Sequence, residues 1–190
     1  MERNVSVIKD VDGNDIVMIN DAVFKGRRRI DWDDVKEYLR HFVGDVYTIT
    51  ETEHEIHIGA DFPNEYTGSV YTYRLKGAAA KAKANAAQGI PEIIEIATGG
   101  HFRENKEQKH YRNAKYGWYR FDSRFAMPVY SDTGELERYN IFHVSLIVRH
   151  SEDGKMYLYD QDVIEVAFLV LLLPLPSLQH PAVLSSCFTM

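Results

Sequence analysis

The sequence predicts an α+β fold: N-terminal hairpins and helices followed by a small antiparallel β-meander packed on helices. Three observations carry this. From Tyr116 onward the chain offers three β-runs, GWYRFDSRFAMPVY, RYNIFHVSLIVRH and MYLYDQDVIEV, joined by short Gly-containing turns at Asp132-Thr133-Gly134 and Glu152-Asp153-Gly154-Lys155. Before them lie an Ala-rich run and the segment PEIIEIA, both with helical character. Finally, 190 residues that are 45% hydrophobic suffice for one well-buried core.

Val5 to Ile8 and Ile16 to Ile19 flank the turn residues Asp12-Gly13-Asn14 and read as a β-hairpin. Asp31 is positioned to cap a helix running to about Val43, because Trp32, Val35, Leu39 and Phe42 or Val43 recur at helical spacing and Gly44 stops it. Arg27, Arg28 and Arg29 before it form a basic turn. Val46 to Ile49 and Glu55 to Ile58 form a second short hairpin carrying His54 and His57. A separation of three along a strand sends those histidines to opposite faces, and HEIH lacks the helical zinc spacing, so no metal site is expected.

DFPNEYTG, Asp61 to Gly68, reads as a loop by composition, and Ser69 to Gln88 as one long Ala-rich helix. Gly89 ends it, Pro91 opens the next helix, and Thr98-Gly99-Gly100 closes that one ahead of a basic helix or loop from His101. Neither the P-loop nor the dinucleotide pattern occurs, so no cofactor is expected.

The chain divides into an N-terminal hairpin/helix/hairpin segment (1–68), a helix and antiparallel-sheet core (69–166) and a tail (167–190). That tail is unusual: after Glu165 there is no Asp, Glu, Lys or Arg. It is too short and too interrupted by proline for a membrane span, so no integral span is expected, and Val163 to Leu173 extend the last strand if ordered. A single cysteine, Cys187, and an N-terminus without an apolar signal core suggest a cytoplasmic protein.

Net charge is −6, yet Tyr71 to Tyr130 carries 11 Lys+Arg against 5 Asp+Glu, while 1–70 carries 8 against 15 and 131–190 carries 3 against 8. Overall acidity argues against a nucleic-acid coat protein but allows a local basic groove. Within His101 to Phe125 the cations alternate with Tyr, Trp and Phe, the combination that pairs phosphates and stacks bases.

Period-two alternation sorts the strands. Phe142, Val144, Leu146 and Val148 share one face; Ile141, His143, Ser145, Ile147 and Arg149 share the other. Trp118, Arg120, Asp122 and Arg124 likewise oppose Tyr119 and Phe121. If the polar faces coincide, His143, Ser145, Arg149, Arg120 and Arg124 form a basic floor; the register that decides this is not written in either strand alone. Such a floor suits metal-free RNA cleavage, in which an imidazole moves the 2′-hydroxyl proton and cations stabilise charge on phosphorus oxygens. A structural reading competes with it: a half-buried strand histidine, with Arg120 and Arg124 paired to Asp122 and Glu137. His101 and His110 are nine apart and share no simple helical face; His110, between Lys109 and Arg112 with Lys115 close by, attracts a polyanion.

The order of these elements, IPEIIEIATGG, a basic His-bearing stretch, GWYRF and then ERYNIFHVSLIVRHSEDGKMYLYDQDVIEV, resembles the phage and mobile-element branch of the Barnase/EndoU/colicin/RelE-like nuclease superfamily over about Tyr71 to Val166. The most recognisable piece is VSLIVRHSEDGKMYLYD. The resemblance implies a toxin-like, metal-independent RNase site on an antiparallel sheet, with RNA as substrate and an immunity or partner protein. Together with the face analysis it gives His143, His110, Arg120 and Tyr157 as catalytic candidates, and Lys115, Arg112, Trp118, Tyr119, Arg124, Ser145 and Arg149 as substrate-binding candidates. Two rival expectations stand beside it: a non-catalytic nucleic-acid- or protein-binding accessory module, and a structural protein with no nucleic-acid role.

Overall fold

The structure, a computed structural model, describes residues 3–10, 12–26, 29–106 and 112–169, the stretch 165–169 by its strand path alone. It is an α+β fold. In chain order come β1 (Val5–Lys9), β2 (Asp15–Ile19), α1 (Trp32–Leu39), β3 (Val46–Thr48), β4 (Glu55–His57), α2 (Phe62–Gly68), α3 (Val70–Arg74), α4 (Gly77–Ala86), α5 (Ile90–Glu95), β5 (Thr98–Arg103), β6 (Trp118–Tyr130), β7 (Leu136–His150) and β8 (Met156–Leu169).

The meander β6-β7-β8 is the centre of one eight-stranded sheet ordered β1-β2-β6-β7-β8-β4-β3. Both N-terminal hairpins join it through short parallel pairs, β2 on β6 at Val17↔Phe125 and β4 on β8 at Ile56↔Met156. β5 occupies the other half of the β6 edge, from Thr98↔Asp122 to Arg103↔Trp118. The apolar face expected for β7 is the core: Phe142, Val144, Leu146 and Val148 are at most 4% exposed and pack with Phe121 and Phe125 of β6 and with Ile90, Ile93 and Ile94. Asp31 caps α1, its carboxylate accepting from the Asp33 N–H at 3.0 Å, and Val35, Tyr38 and Leu39 fill the buried face.

Three stretches differ from expectation. Asp61 to Gly68 is not a loop: Pro63 sits in the first turn of α2, where no amide hydrogen is needed, and Phe62 and Tyr66, one turn apart, are fully buried with ring centroids 5.5 Å apart. Tertiary burial of that aromatic pair outweighs the local turn signal. The Ala-rich segment is two helices, because Ser69 caps α3 by accepting from Thr72 N and the chain turns at Gly77, whose φ of +56° lies in the left-handed region. Thr98 to Arg103 is a strand rather than a helix end. Its bulge at Gly99 to His101 needs glycine, since Gly100 has φ +128° and a Cβ there would come within 3.2 Å of the Phe121 ring.

From Ala82 to Ala86 helix α4 is buried on every side, and the small side chains of Ala82, Ala84 and Ala86 are what allow that. Asn85 and Gln88 are buried and bond the 21–24 loop, the Asn85 amide donating to Phe24 O and the Gln88 amide to Asp21 O. Lys83 is buried too, 2.5 Å from the Asp160 carboxylate, with both side chains at 0% exposure. Burial pushes the Lys83 ammonium below its ordinary pKa and the Asp160 carboxyl above its own, so for each group loss of water outweighs the partner's attraction. In β8 the bulge at Tyr159 interrupts the register beside them, Val148 facing Leu158 and Ile147 facing Asp160. Removing one partner strands the other: Lys83→Met lowers unfolding free energy by about 3–5 kcal/mol, whereas Lys83→Met combined with Asp160→Leu recovers most of it. Urea denaturation of the two variants measures the difference.

Candidate functional site

The register of β6 on β7 brings the two polar faces together. Trp118 opposes Arg149, Arg120 opposes Ile147, Asp122 opposes Ser145 and Arg124 opposes His143. The floor expected from alternation therefore exists, on the sheet face opposite the apolar core.

It is less basic than its cations suggest. The Arg124 guanidinium lies 2.8 Å from Asp10, and its Nε donates to the Asp15 carbonyl at 3.2 Å, which fastens β6 to the first hairpin rather than pairing with Asp122 or Glu137. Asp10 also accepts from Asn14, and that bond, helped by Arg124, holds its carboxyl below the ordinary carboxylate range. Arg149 is 8% exposed, 2.6 Å from Asp61 and over the Tyr157 ring. His143 Nε2 stands 3.2 Å from Asp122 Oδ1. Arg120 reaches Ser145 Oγ at 3.5 Å.

A groove of about 740 Å³ lies on this face, its lining including Trp118, Arg120 and Tyr159 on the floor, Arg103 and Lys106 on one side and Tyr71 of α3 on the other. Trp118 meets Tyr159 edge to face at 5.1 Å. Burial and a bond to Glu65 raise the Tyr159 hydroxyl pKa, so this ring stays neutral. Cations and aromatic rings are thus brought within one hollow. His143, with Asp122 and Arg124, lines a separate hollow of about 460 Å³. Four residues along β7 divide it from the position facing Arg120, about 13 Å at strand rise.

The remaining candidates fall elsewhere. Tyr119 points to the opposite face, stacked on Phe121 and 5.4 Å from Phe102, because neighbours in a strand alternate. Tyr157 stands across from Arg149 on β8 but outside the groove lining, its hydroxyl donating to Asp153 at 2.7 Å, a bond that raises its pKa. Lys115 pairs with Glu152 at 3.1 Å, and the Arg112 carbonyl accepts from Glu152 N, so the segment before β6 that carries both is held against the β7–β8 turn and not over the floor. His110 lies outside the described residues.

His54 and His57 depart from expectation. Both line one hollow of about 420 Å³ together with His150, Tyr119 and Lys155. His54 precedes β4 instead of lying in it, so strand alternation does not separate the two. The turn that places it holds Glu53 at φ +58°, a left-handed conformation unusual for a residue with a Cβ. Among the described residues no three of His, Cys, Asp or Glu converge as metal ligands do.

Tyr71, Arg103, Lys106 and Tyr159 were not singled out from sequence. Arg103 carried a usable signal, since reading Thr98 to Arg103 as a strand would have placed it in line with Trp118. Gly117 keeps that wall in place: at φ +97°, a Cβ would meet the Phe102 ring at 2.5 Å and the Arg103 carbonyl at 2.7 Å. Gly117→Ala is expected to cost about 1–3 kcal/mol through overpacking and to detach β5 from β6; thermal melts and amide exchange of β5 read both effects. Comparison with family models, with curated proteins and with solved structures finds no match to this chain, so the functional reading rests on its own residues.

Proposed function

We propose that the chain is a metal-independent endoribonuclease-like domain of a phage or mobile element, which holds RNA in the groove over Trp118 and Arg120. The observation that supports it most is the lining of the groove, where Arg120, Arg103 and Lys106, with Glu104 among them, lie beside Trp118, Tyr159 and Tyr71. Phosphates of a single strand pair with the cations and its bases lie on the rings; RNA in a duplex keeps its bases stacked and offers them to no such platform. The 2′-hydroxyl of RNA is an internal nucleophile, so cleavage requires proton transfer and charge stabilisation but no metal-bound water.

A second reading, a binding module without turnover, is favoured by one observation: Arg124, the cation facing His143, is already engaged by Asp10 and Asp15. Incubation of the purified chain with single-stranded RNA in EDTA separates the two. The proposal expects cleavage; salt-sensitive binding with intact RNA would leave the module reading. On either reading Trp118→Ala weakens RNA binding by about 1–3 kcal/mol, and Arg120→Ala weakens it while lowering the slope of log affinity against log salt by about 0.7. Fluorescence titration at several salt concentrations gives both values.

A further inference from the structure

Transesterification of RNA uses two proton-transfer groups, one to take the 2′-hydroxyl proton and one to protonate the departing 5′-oxygen. On the groove face His57 sits against Tyr157 beyond β8, and the imidazoles nearer Arg120 are His143 and His101, the latter facing Arg120 across β5 and β6. Two strand spacings and four residues part them, about 16 Å, more than one phosphodiester spans. At the end of the sheet the arrangement is different. His54 and His150 both lie against the Tyr119 ring, at centroid distances of 6.2 and 6.1 Å, and Lys155 lines the same hollow.

Three further observations mark this hollow. The His150 Nε2 is 3.2 Å from the Gly154 carbonyl, which can only accept, so Nε2 carries hydrogen and Nδ1 holds the free lone pair of the neutral ring. His54 Nδ1 is buried without a hydrogen-bond partner, a costly arrangement in a folded chain, leaving Nε2 as the nitrogen able to exchange a proton with a ligand. The hollow also adjoins the groove: His150 bonds Gly117, which precedes Trp118, and Arg149, which precedes His150, is Trp118's cross-strand partner. At the backbone one strand spacing and one residue separate Trp118 from His150, about 6 Å, with their side chains on opposite faces at the sheet end.

We propose that RNA lying on Trp118 turns over the sheet end and presents its scissile phosphate between His150 and His54, which act as base and acid in the cleavage proposed above. The inference rests on that cleavage. His150 Nδ1 takes the 2′-hydroxyl proton as the O2′–P bond forms. The P–O5′ bond breaks, and His54 gives its proton to O5′. The products are a 2′,3′-cyclic phosphate and a 5′-hydroxyl, and proton exchange with water resets both rings. Lys155 stabilises the charge gathering on the non-bridging oxygens. Glu53 and Glu55 line the same hollow, so Lys155 also offsets their charge there.

The test compares wild type, His150→Gln, His54→Phe and Lys155→Met on one single-stranded oligoribonucleotide in EDTA, with RNA affinity and melting temperature measured for each. His54→Phe keeps a ring against Tyr119 and Phe121, so at least one histidine variant is expected to fold. The expected result is cleavage slowed about 100-fold or more in the histidine variants and about 10-fold in Lys155→Met, affinity within two-fold of wild type, and no cleavage where the reacting nucleotide is 2′-deoxy. Folded variants cleaving at the wild-type rate, or losing affinity in parallel with rate, would overturn this assignment and leave the RNase reading standing. The same holds if His143→Ala alone abolishes cleavage. Wild type that binds RNA and does not cleave it overturns both.

Discussion

Register along the β6–β7 ladder is the constraint on which the rest depends. Thirteen residue pairs, from Trp118↔Arg149 to Tyr130↔Leu136, are held in order. A slip by one residue would carry every side chain of one strand to the other face. Phe142, Val144, Leu146 and Val148 would then meet water, while His143, Ser145 and Arg149 would enter the core without partners. The cost of exposing that apolar row, about 1.5–3 kcal/mol for each large side chain, is what specifies the register. The polar floor is a consequence: once the apolar rows coincide, Trp118, Arg120, Asp122 and Arg124 must lie alongside Arg149, Ser145 and His143.

The same sheet then organises its surroundings from both edges. β2 and β5 share the outer edge of β6, so the first hairpin and the Thr98–Arg103 strand each press against it, and Arg124 ties the hairpin down through Asp10. Beyond the short β4 pairing, the β8 edge is met by α2 and α4. There the buried Lys83–Asp160 pair crosses the boundary between helix and strand. A buried charge pair is weak as a source of net stability but intolerant of alternatives, because any packing that parts the two leaves an uncompensated charge away from water. Its position suits a contact that sets how α4 seats on the sheet.

Charge on the candidate site is governed by these structural duties. Of the arginines expected on the floor, Arg124 and Arg149 are consumed by Asp10 and Asp61, and they hold loops to the sheet. What stands over the groove is a different set: Arg120 from the floor and Arg103 and Lys106 from the β5 side, with aromatic rings among them. An acidic protein can in this way keep a cationic hollow while, among the described residues, Arg3, Lys9, Arg40, Lys83, Lys115, Arg124, Arg138 and Arg149 pair with carboxylates elsewhere. The imidazoles separate in the same manner, with His143 held by Asp122 on one face and His54 and His150 gathered round Tyr119 at the sheet end.

Local chemistry made much of this legible in the chain itself. Period-two alternation announced both faces of β6 and β7, Gly-containing turns placed the meander, and Asp31 with its helical spacing placed α1. Each depends on residues within a few positions of one another. Where the reading failed, a distant contact had overruled a local preference. Burial of Phe62 and Tyr66 made a helix of a turn-like segment, pairing with β6 made a strand of Thr98–Arg103, and a left-handed Glu53 turned His54 towards His57's hollow. The sequence by itself determined the fold class and which side chains share a strand face, since these follow from periodicity. Only the tertiary structure decided which cations remain available, which histidines meet and where the groove lies, because those depend on register and on partners as distant in the chain as Asp10 is from Arg124.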